Sequence, residues 1–361
     1  MIPEAGLPQL YSTWLHTITG GPIPAETSAT CESCAMLPSP GSSPEATFFH
    51  PATKCCAYQP HLPNFLAGRI LLDDDPSMAA GRRELEQRIA RRVVVTPRWA
   101  GPGSVFGLLY RNTPNVFGRA PELRCQFLDS GGGCGIWKNR PGVCVTWFCK
   151  HVRGDTGRRF WKLTDTLLRI VEQELTIWCL AELKTGSAEV DEMGQRSSPQ
   201  VSELGGEIDW GHYRKLWGAR VGQEADFYRA CASLVDGLTW QQVLQISGPR
   251  VRILAELVHD AYVHLGSVAT PERLRLGRVQ FIGIEGQGYR VLGYSQYDPL
   301  VVPEKLARVL RYFDGRPTEE ILENILSQEN LRLDLKLIRK MVDFGILQAC
   351  SSENNALPII S

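Results

Sequence analysis

The sequence predicts a mainly helical α+β protein. An irregular cysteine-rich metal-binding domain packs on helices, and a C-terminal winged-helix-like module follows. Three observations predict it. Eight of the eleven cysteines fall before residue 150. A long apolar stripe of helical period runs from Arg158 to Lys184. From Gly277 the pattern changes to alternation, followed by three short helical segments. The expected organisation is a cysteine-rich domain over 1–157, a helical domain over 158–276, a winged-helix module over 277–349 and a tail over 350–361. A chain of 361 residues is long enough for such a division.

Lys and Arg number 39, as do Asp and Glu, so the net charge is zero. That balance disfavours a general nucleic-acid binder and a solvating acidic tail. The N-terminus shows no basic segment followed by an apolar one, so no secretory signal is expected. The longest helical apolar stretch carries Lys162, Asp165, Arg169, Glu172, Glu174 and Glu182, charges that a bilayer would not admit. The expected location is the cytoplasm. Thiols there stay reduced, and clustered cysteines serve metals or catalysis more often than bridges.

Residues 1–30 are rich in Pro, Gly and Thr and read as irregular. Cys31-Glu-Ser-Cys34 follows, a CxxC whose turn brings two sulfurs towards one metal. A Pro/Ser/Gly loop over 36–53 leads to Lys54-Cys55-Cys56. Neighbouring side chains of an extended segment point to opposite faces. Cys55 and Cys56 therefore serve two centres, or one is a ligand and the other is packed. Phe65–Leu72 is apolar. Asp73-Asp74-Asp75-Pro76 reads as a solvated helix start. Ser77–Arg92 has helical spacing, with Leu85 and Ile89 inward. Val93–Val95 and Ser104–Tyr110 read as strands around a turn over 97–103.

The centre of the chain's chemistry is Cys125 to His151, with Cys134, Cys144 and Cys149 between them. Gly131–Gly133 and Gly135 allow backbone amides to approach sulfur. Lys54, Arg124, Lys138, Arg140, Lys150 and Arg153 would offset the anionic charge of thiolates. Trp137, Trp147 and Phe148 are expected to shield the site from water. His151 is a candidate ligand, supporting donor or proton carrier. His50 and His61 flank Cys55-Cys56 and rank just behind it. No phosphate loop or nucleophile elbow is present, and Gly286-Gln-Gly288 reads as a hairpin turn.

After the Arg158–Lys184 helix, in which Cys179 reads as core, Thr185–Gly206 resembles a linker. Helices are expected near 209–216, 223–238, 239–245 and 249–265, with Cys231 in the core. A hairpin spans 278–294, an extended piece covers 299–302, and helices are expected over 303–313, 318–327 and 333–344. The tail after Leu347 reads as frayed.

Cys134-Gly-Ile-Trp-Lys-Asn-Arg140-Pro141-Gly-Val-Cys144, with Cys149 after it, resembles the YkgJ-type cysteine-cluster family, known as zinc- or iron-chelating domains. The resemblance covers about residues 31–151. It implies metal ligation by Cys31, Cys34, Cys55, Cys56, Cys125, Cys134, Cys144 and Cys149, with Arg140 and His151 beside the bound group. The long loop between Cys34 and Cys55 departs from the family pattern. The cysteine style is also similar to that of the flagellin lysine N-methylase group. That likeness implies an iron–sulfur protein acting on a polypeptide with S-adenosylmethionine, although no methyl-donor site is recognisable.

Residues 277–349, around Phe313-Asp314-Gly315-Arg-Pro-Thr318, resemble PqqD-like winged-helix modules. The likeness implies a peptide or protein partner held by strand addition. Nucleic acid is disfavoured by the modest charge of the last helix. Three readings follow, the third being metal storage or delivery. One is an iron–sulfur protein, with 4Fe-4S the favoured cluster, modifying a peptide or protein. The alternative is a zinc-stapled scaffold or adaptor without catalysis. The sequence leaves open whether the protein is an enzyme, and gives no oligomeric state.

Overall fold

The computed structural model describes residues 6–31, 33–38, 48–113, 116–185, 208–284 and 288–350. It is mainly helical, with small antiparallel sheets. Residues 186–206 of the expected linker, residues 39–47 of the 36–53 loop, Gly286 and Gln287 of the hairpin turn, and the tail from 351 lie outside the described residues. The chain divides into two units, each discontinuous in sequence. The first comprises residues 1–25, 30–147 and 162–259, and the second 26–29, 148–161 and 260–361.

The first unit opens on helix α1, Gln9–Thr19, where irregular chain was expected. Pro8 and Gly20 bound it, and Gly20 closes it in the left-handed conformation at φ 70°. Its inward residues Tyr11, Trp14 and Leu15 follow helical spacing inside a Pro/Gly-rich composition that obscures it. Trp14 packs against Trp240 with ring centroids 6.3 Å apart.

Helix α2, Asn64–Leu72, is buried on nearly every side. Gly68 is the reason it sits so deep. A Cβ there would lie 1.8 Å from the Tyr228 carbonyl oxygen, so only glycine allows this approach. Helix α3, Ala79–Arg91, turns Leu85 and Ile89 inward.

Two expected strands are corrected. Val93–Val95 is a turn leading to a single bridge, Val95 to Ala100, and Val94 has φ 49°. Ser104–Tyr110 belongs to helix α4, Ser104–Asn112. Its apolar residues Val105, Phe106, Leu108 and Leu109 recur at three and four, a helical period mistaken for alternation. The first unit's only described sheet is a two-residue pairing of β1, Leu62–Pro63, with β2, Trp99–Ala100.

A short helix α5, Gly142–Val145, precedes the longest helix, α6, Gly154–Glu182. The periodic apolar stripe accounts for α6. Leu167, Leu168, Val171, Leu175 and Cys179 are all buried, while Ile177 is exposed. Helices α7, Trp210–Trp217, α8, Glu224–Asp236, α9, Trp240–Ser247, and α10, Pro249–Gly266, follow where their patterns placed them. Thr239 caps α9, and Gln242 returns the bond to the Thr239 backbone. Cys179 and Cys231 are fully buried core residues.

The second unit carries two three-stranded antiparallel sheets. One has the order β7, β3, β8, from Asp314–Pro317, Arg273–Leu276 and Leu347–Ala349. The other has the order β4, β5, β6, from Gln280–Ile284, Gly288–Leu292 and Leu300–Val302. Leu347–Ala349 is thus a paired strand rather than a frayed end, and Asp314–Pro317 is a strand as well as a turn. Periodicity cannot show such short pieces, because their pairing partners are distant in sequence.

Helices α11, Glu304–Val309, α12, Thr318–Glu329, and α13, Leu335–Asp343, complete it. Leu274, Val291, Val302, Phe313, Ile321, Ile325, Ile338 and Met341 form its core. Asp343, buried, binds the fork of Arg153 at 2.6 and 3.0 Å, and also Arg339 and Thr156. Among the described residues no helix is long and apolar enough to cross a membrane.

Candidate metal centre

Seven of the eight candidate cysteines fall in the first unit, and Cys149 falls in the second. Backbone and side-chain hydrogen bonds tie several of the seven segments together. The Cys125 amide donates to the Cys56 carbonyl oxygen at 2.7 Å, tying the vicinal pair to the glycine-rich segment. Asp129 closes that segment into a loop: Gly133 N donates to its Oδ1 at 2.8 Å, and Asp129 N to the Gly133 carbonyl at 2.9 Å. Gly132 allows this turn with φ 79°. Arg124 braces it by donating to the carbonyl oxygens of Leu128 and Asp129 at 2.9 and 2.6 Å. Lys54 donates to the Cys31 carbonyl at 2.8 Å, linking the CxxC turn to the pair.

The approach of α3 fixes Cys134 from behind. A Cβ on Gly81 would stand 2.1 Å from the Gly135 carbonyl oxygen. Cys144 rides on α5, whose first amide, Gly142 N, donates to Glu172 Oε1 on α6 at 2.6 Å.

No disulfide is assigned among the eleven cysteines. Burial pushes Cys125 up to about 12 and Cys134 up to about 11. Burial, reinforced by neighbouring cysteines, also carries Cys144 well above the ordinary thiol value. Cys55 and Cys56 share a hydrogen bond that splits them. Cys55 is raised, while Cys56, which also faces Lys54, Arg140 and Arg124, is lowered to about 7. The charges of Cys31 and Cys34 act on Cys55, and those of Cys125 and Cys134 act on Cys144. These influences run between neighbouring members of the seven, and four of the seven also act on Arg140.

Arg140 lies within that set and is buried. Its Nε donates to the Trp137 carbonyl at 3.0 Å and its Nη2 to the Gly6 carbonyl at 2.8 Å. The guanidinium stacks 3.4 Å from the Trp137 ring centroid. Burial lowers its pKa, and the opposing influences come from Cys134, Cys144, Cys31 and Cys56. Among the described residues no carboxylate forms an ion pair with it.

Among the described residues no group of three or more His, Cys, Asp or Glu side chains is arranged to hold a metal ion. Thiols are the donors a thiophilic metal takes, and among the candidate cysteines Cys55 and Cys56 share a hydrogen bond. Ligation would require deprotonation together with local turning of the side chains.

His151 lies in the second unit, where Phe148 and Tyr294 flank its ring at 6.1 and 5.8 Å. Its Nδ1 is buried with no hydrogen-bond partner, and burial, aided by Arg158, holds it down at about 4. The expected aromatic shield is open. Trp137 and Trp147 are 38% and 45% exposed, and Trp137 serves as the platform for Arg140. Lys138 pairs with Asp75, and Arg153 with Asp343, so these two cations have other partners. His50 Nδ1 accepts from the Ala52 amide, and His61 packs edge-on against Trp99.

Sequence reasoning missed Tyr11, Asp165, Arg169 and Glu172. Asp165 accepts from Thr146 at 3.3 Å and pairs with Arg169 at 3.0 Å. Glu172 accepts from Tyr11 and Gly142. Asp165, Arg169 and Glu172 recur at i, i+4 and i+7 and so share one face of α6, but Lys162, Glu174 and Glu182 on the same helix keep that spacing from standing out.

Comparison of the chain with protein-family profiles, with curated proteins and with solved structures finds no match. The reading of the site rests on its residues.

Proposed function

We propose that this is a metal-binding protein in which Cys31, Cys34, Cys55, Cys56, Cys125, Cys134, Cys144 and Cys149 supply the thiolates for iron–sulfur chemistry, with 4Fe-4S the favoured cluster. The observation that carries the reading is Arg140. A buried guanidinium needs an anionic counterpart. The groups that draw on it are four cysteines, and no carboxylate among the described residues takes that part. Metal-bound thiolates would supply the missing charge. Such a cluster would provide electron transfer or a Lewis-acidic iron. The chain's own contribution is Arg140 as counter-charge, together with the backbone loops that present sulfur. Cys149 and His151 join this proposal on the sequence pattern.

The C-terminal module is proposed as the reader of a peptide or protein substrate, in the manner of a PqqD-like winged helix. In the β4, β5, β6 sheet the outer strands β4 and β6 each have one neighbour, the arrangement that accepts an added strand. Phe281 and Val301, on those outer strands, are exposed.

A zinc-stapled scaffold or adaptor is the second reading. The exposure of Cys31, Trp137 and Trp147 favours it, because a closed four-thiolate zinc site tolerates water. Metal and sulfide analysis of anaerobically purified protein separates the two.

A further inference from the structure

Glu172 is 7% exposed and lies on helix α6 beside the buried residues Leu168, Val171 and Leu175. It takes two donors. The Tyr11 hydroxyl of α1 donates to its Oε1, and so does the Gly142 amide, at 2.6 Å. Gly142 opens the short helix that carries Cys144 two residues later. A Cβ on Gly142 would sit 2.8 Å from Leu168 Cβ and 3.2 Å from Glu172 Oε1, so glycine is what lets the turn reach the carboxylate. Asp165 and Arg169 on α6 bear on Glu172, while Arg69 on α2 and Cys144 bear on Tyr11. A buried carboxylate costs stability unless its acceptor sites are filled. Here the filling groups are one side chain from α1 and one backbone amide from the cysteine turn.

We propose that Glu172 is a positioning residue of the metal centre, clamping the Gly142–Cys144 turn between helices α1 and α6. Its purpose rests on the metal-binding reading; its geometry does not. The clamp fixes where the Cys144 sulfur stands before any metal arrives, and the Tyr11 bond orients the carboxylate towards Gly142. Removing the carboxylate frees the turn, whereas an amide of the same shape keeps an oxygen for Gly142.

The test uses the full chain, freed of metal, as wild type, Glu172→Ala, Glu172→Gln and Tyr11→Phe. Iodoacetamide labelling is followed cysteine by cysteine by mass spectrometry, with core Cys179 as internal reference, and metal content is measured on the untreated proteins. In Glu172→Ala the labelling of Cys144 relative to Cys179 should rise by up to about tenfold, the scale of one buried hydrogen bond. Glu172→Gln should stay near wild type and retain metal, a rescue that mere loss of packing would not give. An unchanged Cys144 rate in Glu172→Ala with Cys179 still protected overturns the clamp. If Cys179 also becomes reactive, the variant has unfolded and Tyr11→Phe decides: a selective rise at Cys144 supports the clamp, and none overturns it. A wild-type chain without metal would remove the metal reading and leave the labelling comparison to decide the clamp.

Discussion

The Arg140 guanidinium stacks 3.4 Å from the centroid of the Trp137 ring and is buried among thiols rather than carboxylates. Its energetic sign depends on whether those thiols are charged. With protonated thiols it is a desolvated cation held by two carbonyl oxygens and an aromatic face. With metal-bound thiolates it is a neutralising charge.

Arg140→Met should therefore act in opposite directions on the two forms. In the metal-free protein it removes an uncompensated buried charge and should be neutral or stabilising by about 1–3 kcal/mol. In the loaded protein it should destabilise and promote metal loss. Denaturant unfolding of both forms checks this; shifts of the same sign would contradict the assignment of thiolates as its counter-charge.

Glu172 gives a pH signature. Burial lifts it from the ordinary 4.5 to about 7, against the pull of its bonds to Tyr11 and Gly142. The folded chain thus holds a proton that the unfolded chain has released. Its contribution is complete below about pH 4.5 and is lost as pH rises through about 7, a total of about 3 kcal/mol. The difference in unfolding free energy between wild type and Glu172→Gln should fall across that window. A flat difference would show an ordinary carboxylate.

Gly81→Ala should strike the centre from behind. The added Cβ meets the Gly135 carbonyl at 2.1 Å and Ile136 Cγ2 at 2.6 Å, and backbone cannot rotate away. Overpacking of this kind costs about 1–3 kcal/mol. The displacement falls next to Cys134, so metal retention should fall with stability. A variant of unchanged melting temperature and metal content would show that α3 does not hold the loop.

In the second unit, Asp343→Asn keeps the shape of the side chain while leaving Arg153 and Arg339 without their anion. Breaking a buried pair on one side costs about 3–5 kcal/mol. The exposed pair Arg308 with Glu304 is the control, and Glu304→Gln should leave the denaturant midpoint unmoved. Equal effects of the two substitutions would contradict a structural role for Asp343.

The helices of the fold were legible because each carries its own period, as with the Leu167, Val171 and Leu175 stripe of α6. Helix α1 was hidden by composition, and α4 by a doubled apolar run that imitates alternation. Strands β7 and β8 were hidden because three- and four-residue strands acquire their identity from β3, far away in the chain. Both units are discontinuous, and no local pattern encodes that. In the candidate centre, spacing singled out eight cysteines and Arg140, and the fold puts seven of those cysteines with Arg140 in one unit and Cys149 in the other. Glu172 was not legible, since one carboxylate among the several charges of α6 gains its meaning only from Tyr11 and Gly142, which the fold brings to it.

We propose that these thiols hold an iron–sulfur cluster. The most direct measurement is anaerobic purification with iron, zinc and acid-labile sulfide analysis beside the visible spectrum, on the wild type, Cys134→Ser, Cys144→Ser and Cys350→Ser. The wild type should be brown, with matched iron and sulfide and broad absorption near ~400 nm. Cys134→Ser and Cys144→Ser should lose both, and Cys350→Ser should be unchanged. A colourless protein with stoichiometric zinc would contradict the cluster and favour the scaffold. Full metal retention in both Cys134→Ser and Cys144→Ser would contradict the centre itself.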